Sequence, residues 1–266
     1  MGSKTRKLKF CANIYLVLVF VFLYAPIAAL IVFSFNESKS MAHMTGVTLK
    51  WYKSLLNDQV ILSALYYTVS IAILASVIST IFGTITAIGI FKMKGKARMT
   101  ILNVNYLPVL NTDIVTGVAI MSLFVFFRMN FGFMTMLLAH IMFCTPYVIL
   151  SVLPKLRQLP DHIEEAALDL GATPWFAIRK VVLPQIKPGI ISGFLMAFTM
   201  SIDDFVISFF NTGNGVSNLS IEIYGMARRG IKPEINALST IMFATVLILL
   251  FLANKKDSII KQSARI

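Results

Sequence analysis

Charged residues fall at widely spaced points along the chain, and the stretches between them are apolar. Four runs carry no charge: Phe10 to Asn36, Gln59 to Phe91, Met129 to Pro154 and Ile235 to Asn254. Each can supply the roughly 20 helical residues that cross a hydrocarbon core of about 30 Å. Two more runs are interrupted only by acids: Met99 to Phe127 by Asp113, and Pro188 to Ile221 by Asp203 and Asp204. The pattern predicts an all-α integral membrane protein, a single transmembrane domain over 1–266 with about six spans. They are placed near 12–35, 65–91, 106–127, 131–153, 188–210 and 235–254, with one long polar connection, 154–187. The first apolar stretch exceeds the roughly 7 to 15 residues of a cleaved secretory signal, so a retained anchor is expected behind Lys4, Arg6, Lys7 and Lys9.

Composition agrees: 57% of the 266 residues are hydrophobic and 14% charged, outside the balance of a soluble domain. Basic residues alternate between the two sides of the predicted bundle. The N-terminal arm, the Lys92–Arg98 connection, the 154–187 connection and the tail after Asn254 together hold 17 Lys and Arg, and the opposite side holds 7. By the positive-inside rule both termini are expected in the cytoplasm, with the protein in a plasma or inner membrane. The net charge of +12 is then explained by topology and by attraction to anionic lipid, with no need for a nucleic-acid partner.

Several chemistries find no support. Gly95-Lys96 is the nearest approach to a phosphate-binding loop, but Ile90 stands where its first glycine is required. His43, His140 and His162 lie far apart, no Cys or His pair has metal-ligand spacing, and Cys11 and Cys144 are not expected to pair. No serine sits in a nucleophile elbow. Adjacent Asp203 and Asp204 would point about 100° apart on one helix and cannot both face one substrate atom. No catalytic residue and no metal are assigned, and His140 is expected to be a satisfied core histidine.

The 154–187 connection is the most informative segment. Asp161 can cap a helix with Glu164 in its first turn, and Ile163, Ala166, Ala167 and Leu170 share one apolar face. Gly171 stands where a left-handed cap is wanted. Thr173-Pro174 opens a second helix, expected to run from Trp175 to Leu183 until Pro184 interrupts it. On these grounds docking to a partner and lying on the membrane surface are both open.

Glu165-Ala166-Ala167, three residues, Gly171, nine residues, then Val181-Val182-Leu183-Pro184 resembles the EAA loop of membrane subunits of binding-protein-dependent ABC importers, with Val181 where that family prefers Ile. Trp51-Tyr52, Ser201-Ile202-Asp203-Asp204-Phe205 and Pro233-Glu234-Ile235-Asn236-Ala237-Leu238 are similar to the polyamine branch of that family, the spermidine/putrescine permeases. The resemblance implies a type I ABC importer permease fold in which Glu165 to Gly171 forms a coupling helix, with Leu183 and Pro184 closing the motif. It further implies a cytoplasmic ATPase dimer carrying ATP and magnesium, a second homologous permease and an external polyamine-binding protein. This chain itself would bind no cofactor. The rivals are an ABC permease for another small solute, such as iron, thiamine or an oxyanion, and a passive channel or scaffold.

Carboxylates inside a span are costly and should face the bundle interior or water. Asp203 and Asp204 are therefore candidates for a cation pathway, with Phe205, Phe209 and Phe210 near them for apolar and cation–π contact. The alternatives are pairing with a cation or capping a broken helix. Asp113 follows Asn111-Thr112 and reads as part of a helix cap. Gly189 and Gly193 permit close helix approach, either within the bundle or between subunits. Leu49, Trp51, Tyr52, Leu55 and Leu56 suggest a short amphipathic interfacial helix, and the loop Asn211 to Ser220 is a candidate outer surface for a receptor protein.

Overall fold

A computed structural model describes residues 2–38, 43–160, 162–229, 233–245 and 247. It is helical: among the described residues the β structure is one isolated bridge, Asn36 to Val47. Contacts divide the chain into two compact units, one of Met1–Leu62 with Ile223–Ile266 and one of Ser63–Glu222.

In the first unit, α1 spans Gly2–Ser34, and its apolar part, Asn13–Ser34, is long enough to cross a membrane. Its described side chains are largely exposed, Phe22 at 81% among them, as suits a helix surrounded by lipid. The chain then turns back. Asn36 is buried, donating from Nδ2 to His43 O at 2.9 Å and accepting Thr45 N–H at Oδ1 at 3.1 Å. Helix α2, Lys50–Asn57, packs onto this turn. The Trp51 indole donates to Asn36 O at 2.7 Å, and Tyr52 OH meets Ser34 Oγ at 2.7 Å. Trp51 and Leu55 are buried while Leu49 and Leu56 are exposed, so the helix is amphipathic as expected, but its two central apolar side chains pack into protein. The sixth predicted span begins in the helix 233–245, whose Pro233 suits a first-turn position; apart from residue 247 the rest lies outside the described residues.

The second unit holds most of the bundle. Helix α3, Gln59–Lys92, has 34 residues, about 51 Å at 1.5 Å per residue, and so overshoots a hydrocarbon core of about 30 Å. The third predicted span is two helices rather than one. Helix α4, Gly95–Leu110, and α5, Asp113–Phe126, meet at 110° because Asn111 and Thr112 are both extended. Pro108, which cannot donate to the helix ladder, lies just before the break, and Asn and Thr readily compete with helix for backbone bonds. Asp113 is the first residue of α5, where a carboxylate is favoured by the helix dipole.

Helix α6, Phe133–Leu156, is the most enclosed, with buried positions from Thr135 to Leu156. Three short elements follow, α7, Ile163–Asp169, α8, Pro174–Ala177, and a π-helical turn, Ile178–Val182, and then the long α9, Leu183–Ile202. Contrary to expectation, Pro184 does not end the second helix of this segment. Leu183 N–H bonds to Ile178 O, a five-residue step that widens the backbone where the proline ring would clash and its missing donor would leave a gap. The segment therefore runs without a stop into the fifth span. Helices α10, Val206–Asn211, and α11, Leu219–Arg228, complete the described order together with the helix 233–245.

Small residues hold α6 against α9. A Cβ on Gly193 would lie 3.2 Å from Val148 Cγ1, and one on Gly189 would lie 2.7 Å from Lys155 Cγ. Ala197 and Ser201 continue the same buried stripe at four-residue spacing. Val148 is also met from α3, where a Cβ on Gly83 would approach Cγ1 to 2.7 Å. Lipid tails are as apolar as the side chains, so such close backbone approach and its dispersion contacts, rather than hydrophobic exclusion, hold these helices together. The Gly189/Gly193 pair thus serves packing within the chain.

Candidate functional site

Two regions concentrate the residues singled out from the sequence. The first is the break in the fifth span. Helix α9 stops at Ile202; Asp203 has φ −102° and ψ 1°, and α10 resumes at Val206. Asp204 explains the restart. Its Oδ1 accepts Ile207 N–H at 3.1 Å and its Oδ2 accepts Ser208 N–H at 2.7 Å, satisfying donors that open a helix. The residue is buried and its backbone carbonyl accepts from Asn218 Nδ2 at 2.8 Å. Asp204 is therefore occupied as the cap of a broken helix, the alternative that the sequence left beside pathway contact.

Asp203 differs from its neighbour. It is exposed and lines a cavity of about 410 Å³ with Asp113, Thr199, Phe205, Phe143 and Met200. Asp204 reaches the same cavity wall. The breaks in the third and fifth spans thus bring Asp113 and Asp203 to one space, although 90 positions separate them in sequence. Phe205 belongs to this wall and stacks obliquely on Phe209 at 5.3 Å between centroids, whereas Phe210 packs on Gly117 of α5.

Behind the break lies a polar network that sequence reading missed apart from His140. The His140 ring is buried, with Nδ1 2.7 Å from Ser201 Oγ and Nε2 2.9 Å from Ser208 Oγ; Nε2 is also 3.6 Å from Asp204 Oδ2. Ser208 Oγ accepts from Asn218 Nδ2 at 2.7 Å, and Asn218 Oδ1 accepts Ile221 N–H at 2.9 Å, which caps α11. Asn211 donates to Gly117 O and Ile207 O, and Thr135 Oγ1 donates to Asn211 O at 2.9 Å. Asn211 opens the loop Asn211 to Ser220, the candidate outer surface, and Asn218 lies within it, yet both are buried parts of the bundle. The available signal was the recurrence of Ser and Asn within apolar runs, where an unpaired polar group is costly.

The second region is the EAA segment. Asp161, the expected cap, lies outside the described residues, and His162 takes the N-cap position with Nδ1 2.6 Å from Glu165 Oε2. Gly171 has φ +86°, with its N–H on Leu168 O at 2.9 Å and Ala172 N–H on Ala167 O at 3.1 Å. These two bonds form a Schellman turn, which makes the spacing from Ala167 to Gly171 a geometric requirement. Thr173 Oγ1 accepts Phe176 N–H at 3.4 Å with Pro174 at the first helical position, as expected. No residue of α7 is buried; Glu165 and Ala166 are exposed and Ala167 is half-buried. Leu170, just before the turn, is 90% exposed, and Trp175 and Phe176 beyond it are exposed as well. Leu183 packs against the main core and Pro184 is exposed. A cavity of about 340 Å³, bounded by Phe91, Leu156, Ile163, Leu168 and Val182, lies beneath α7.

Residues 1–255 match the family described as binding-protein-dependent transport system inner membrane component. The chain is 34% identical over 244 residues to the spermidine/putrescine transport system permease protein PotC of Haemophilus influenzae, covering 92% of this chain and 95% of that one. It is 39% identical over 247 residues to the putrescine transport system permease protein PotI of Escherichia coli K12, covering 90% and 87%. Among solved structures it resembles a chain of a bacterial ABC transporter involved in the import of the acidic polysaccharide alginate, with TM-score 0.75, 14% identity and coverage of 96% and 98%. A chain of the MetNI methionine ABC transporter gives TM-score 0.60 at 15% identity, covering 75% and 96%.

Proposed function

Because the chain belongs to the family of binding-protein-dependent transport system inner membrane components, we propose that it is the permease subunit of an ATP-driven importer of polyamines such as spermidine and putrescine. The observation that carries the cargo assignment is the cavity at the two span breaks. It presents Asp113 and Asp203 beside the Phe205 and Phe143 rings. A polyamine bears two or more ammonium groups separated by methylenes, so it needs separated negative charge with apolar walls between, and aromatic faces add cation–π attraction. In this reading Asp203 meets the cation, and Asp204 shapes the break that presents it. The names of the PotC and PotI relatives support the same cargo.

Energy enters through the EAA segment. Exposed apolar side chains flank the Gly171 turn, Leu170 at the end of α7 and Trp175 and Phe176 on α8, and exposed Glu165 and Ala166 of α7 provide an acid beside a small residue where a partner surface can come close. An ATPase dimer binding ATP and magnesium would seat this helix, while the π-helical turn and α9 carry its displacement to the break at Asp203. Transport is alternating access with a second homologous permease and an external binding protein, the termini and α7 lying in the cytoplasm. This subunit performs no covalent chemistry.

The test is energy-dependent uptake of labelled spermidine and putrescine in cells lacking this gene and every redundant polyamine importer, with and without a restored copy. Uptake restored by the copy, abolished by an ATPase-dead partner and absent for thiamine and sulfate is the expected result. Restoration of thiamine or sulfate uptake alone would discard the polyamine cargo and keep the permease.

A further inference from the structure

We propose that His140 is a positioning residue for cargo recognition: one imidazole holds both halves of the broken fifth span and thereby sets where Asp203 stands in the cavity. The inference rests on the polyamine reading of that cavity.

The geometry is specific. His140 projects from α6, the most enclosed helix, and is 1% exposed. Its Nδ1 meets Ser201, in the last turn of α9, and its Nε2 meets Ser208, in α10. Those two hydroxyls lie on opposite sides of the break that contains Asp203 and Asp204. An imidazole is rigid, so two hydrogen bonds from one ring hold the two half-helices at a set separation and angle. A histidine that merely filled core space would have no reason to satisfy one nitrogen from each half.

The backbone around Asp203 is held as well. Ser220 Oγ donates to Asp203 O at 3.3 Å, and Asn218 Nδ2 donates to Asp204 O at 2.8 Å while also reaching Ser208 Oγ. Asn218 already occupies one lone pair of the Ser208 hydroxyl. In either tautomer of the ring each nitrogen has a hydroxyl partner, so both half-helices stay bonded to it. Asp203, by contrast, is exposed and lines the cavity. Tilting α10 on α9 would move Asp203 relative to Asp113, and with it the charge spacing that a polyamine meets.

The complete transporter, reconstituted in proteoliposomes with its binding protein, gives KM and Vmax for spermidine and putrescine together with ATP consumed per cargo. His140→Phe keeps a ring and removes both bonds. It is expected to raise KM on the order of tenfold, the scale of losing buried hydrogen bonds, to shift the spermidine-to-putrescine ratio, and to change Vmax little. Combined with Asp203→Asn, its effect on KM should be less than additive, because both act on the same carboxylate. Ser201→Ala and Ser208→Ala each remove one arm and should shift KM in the same direction by less, which keeps the test available if His140→Phe fails to assemble. Unchanged KM in the serine variants, or additive losses with Asp203→Asn, overturns the proposal and leaves His140 as a packing residue. Absence of polyamine transport by the wild-type complex overturns the cargo reading itself, and this inference with it.

Discussion

Lys92, the last residue of α3, makes an ion pair with Glu164 in the first turn of α7, Nζ to Oε1 at 2.5 Å. The pair ties the end of a span to the proposed coupling helix above the cavity that separates them. Both side chains are partly exposed, so its direct worth to stability is about 0 to 1 kcal/mol. Its mechanical worth should be larger. Lys92→Glu or Glu164→Lys alone is expected to lower cargo moved per ATP while leaving expression unchanged, and the double exchange should restore the ratio. Failure of the exchange to restore coupling would reduce the pair to a surface contact.

Gly171 sits at φ +86° with both Schellman bonds made. Gly171→Val places a β-branched residue in a left-handed conformation at a cost of roughly 1 to 2 kcal/mol. Membrane insertion should be normal and ATPase coupling impaired, with Gly171→Asn milder because Asn tolerates that conformation. Coupled transport at wild-type rate in Gly171→Val would falsify the assignment of α7 as the coupling helix.

The two aspartates should separate cleanly. Asp203→Asn is expected to weaken uptake with assembly intact, measured as rate per assembled complex. Asp204→Ala removes the acceptor for Ile207 and Ser208 N–H, a loss of about 0.5 to 2 kcal/mol on the scale of helix caps, and should lower the amount of assembled complex itself. The reverse pattern would return Asp204 to the pathway and Asp203 to structure.

Close packing of α6 on α9 predicts an asymmetry between the two glycines of the stripe. A Cβ on Gly193 meets Val148 Cγ1 at 3.2 Å, whereas a Cβ on Gly189 lies 2.7 Å from Lys155 Cγ, 3.1 Å from Lys155 Cβ and 3.2 Å from Ser151 O, so atoms close to the α6 backbone must move. Gly189→Ala should therefore cost more than Gly193→Ala, overpacking of this kind costing typically about 1 to 3 kcal/mol. Thermal unfolding in detergent compares the two, and equal shifts would contradict the packing described.

Arg128 ends α5 at φ +54°, with Arg128 N–H on Val125 O and Met129 N–H on Phe124 O. This is the turn that glycine closes after α7, here made by a residue with a Cβ. Arg128→Gly should relieve strain of about 1 kcal/mol, partly offset by the entropy glycine loses on folding, and raise the unfolding temperature slightly. A fall would mean that the guanidinium has a partner worth more than the strain.

Much of the architecture follows from local signals. Uncharged runs identify spans because the bilayer core tolerates little charge, and Gly171, Thr173 and Pro174 mark their turns because each residue's own backbone preference is nearly sufficient there. The EAA spacing was legible for the same reason: a Schellman turn needs its glycine four residues after Ala167. Pro184 shows where a local rule is overridden, since a π-helical turn absorbs the proline and keeps Leu183 against the core.

The candidate site depends on contacts that no local pattern carries. Asp113 and Asp203 meet at one cavity only because two spans break at matching places, and Asp204 is a cap because Ser208 and Ile207 fold back onto it. His140 joins Ser201 and Ser208 across 61 and 68 positions. Hydrophobicity and turn chemistry act over a few residues and are written in the sequence directly. The partner of a buried polar group is chosen by which helices lie side by side, and that is settled by packing over the whole fold.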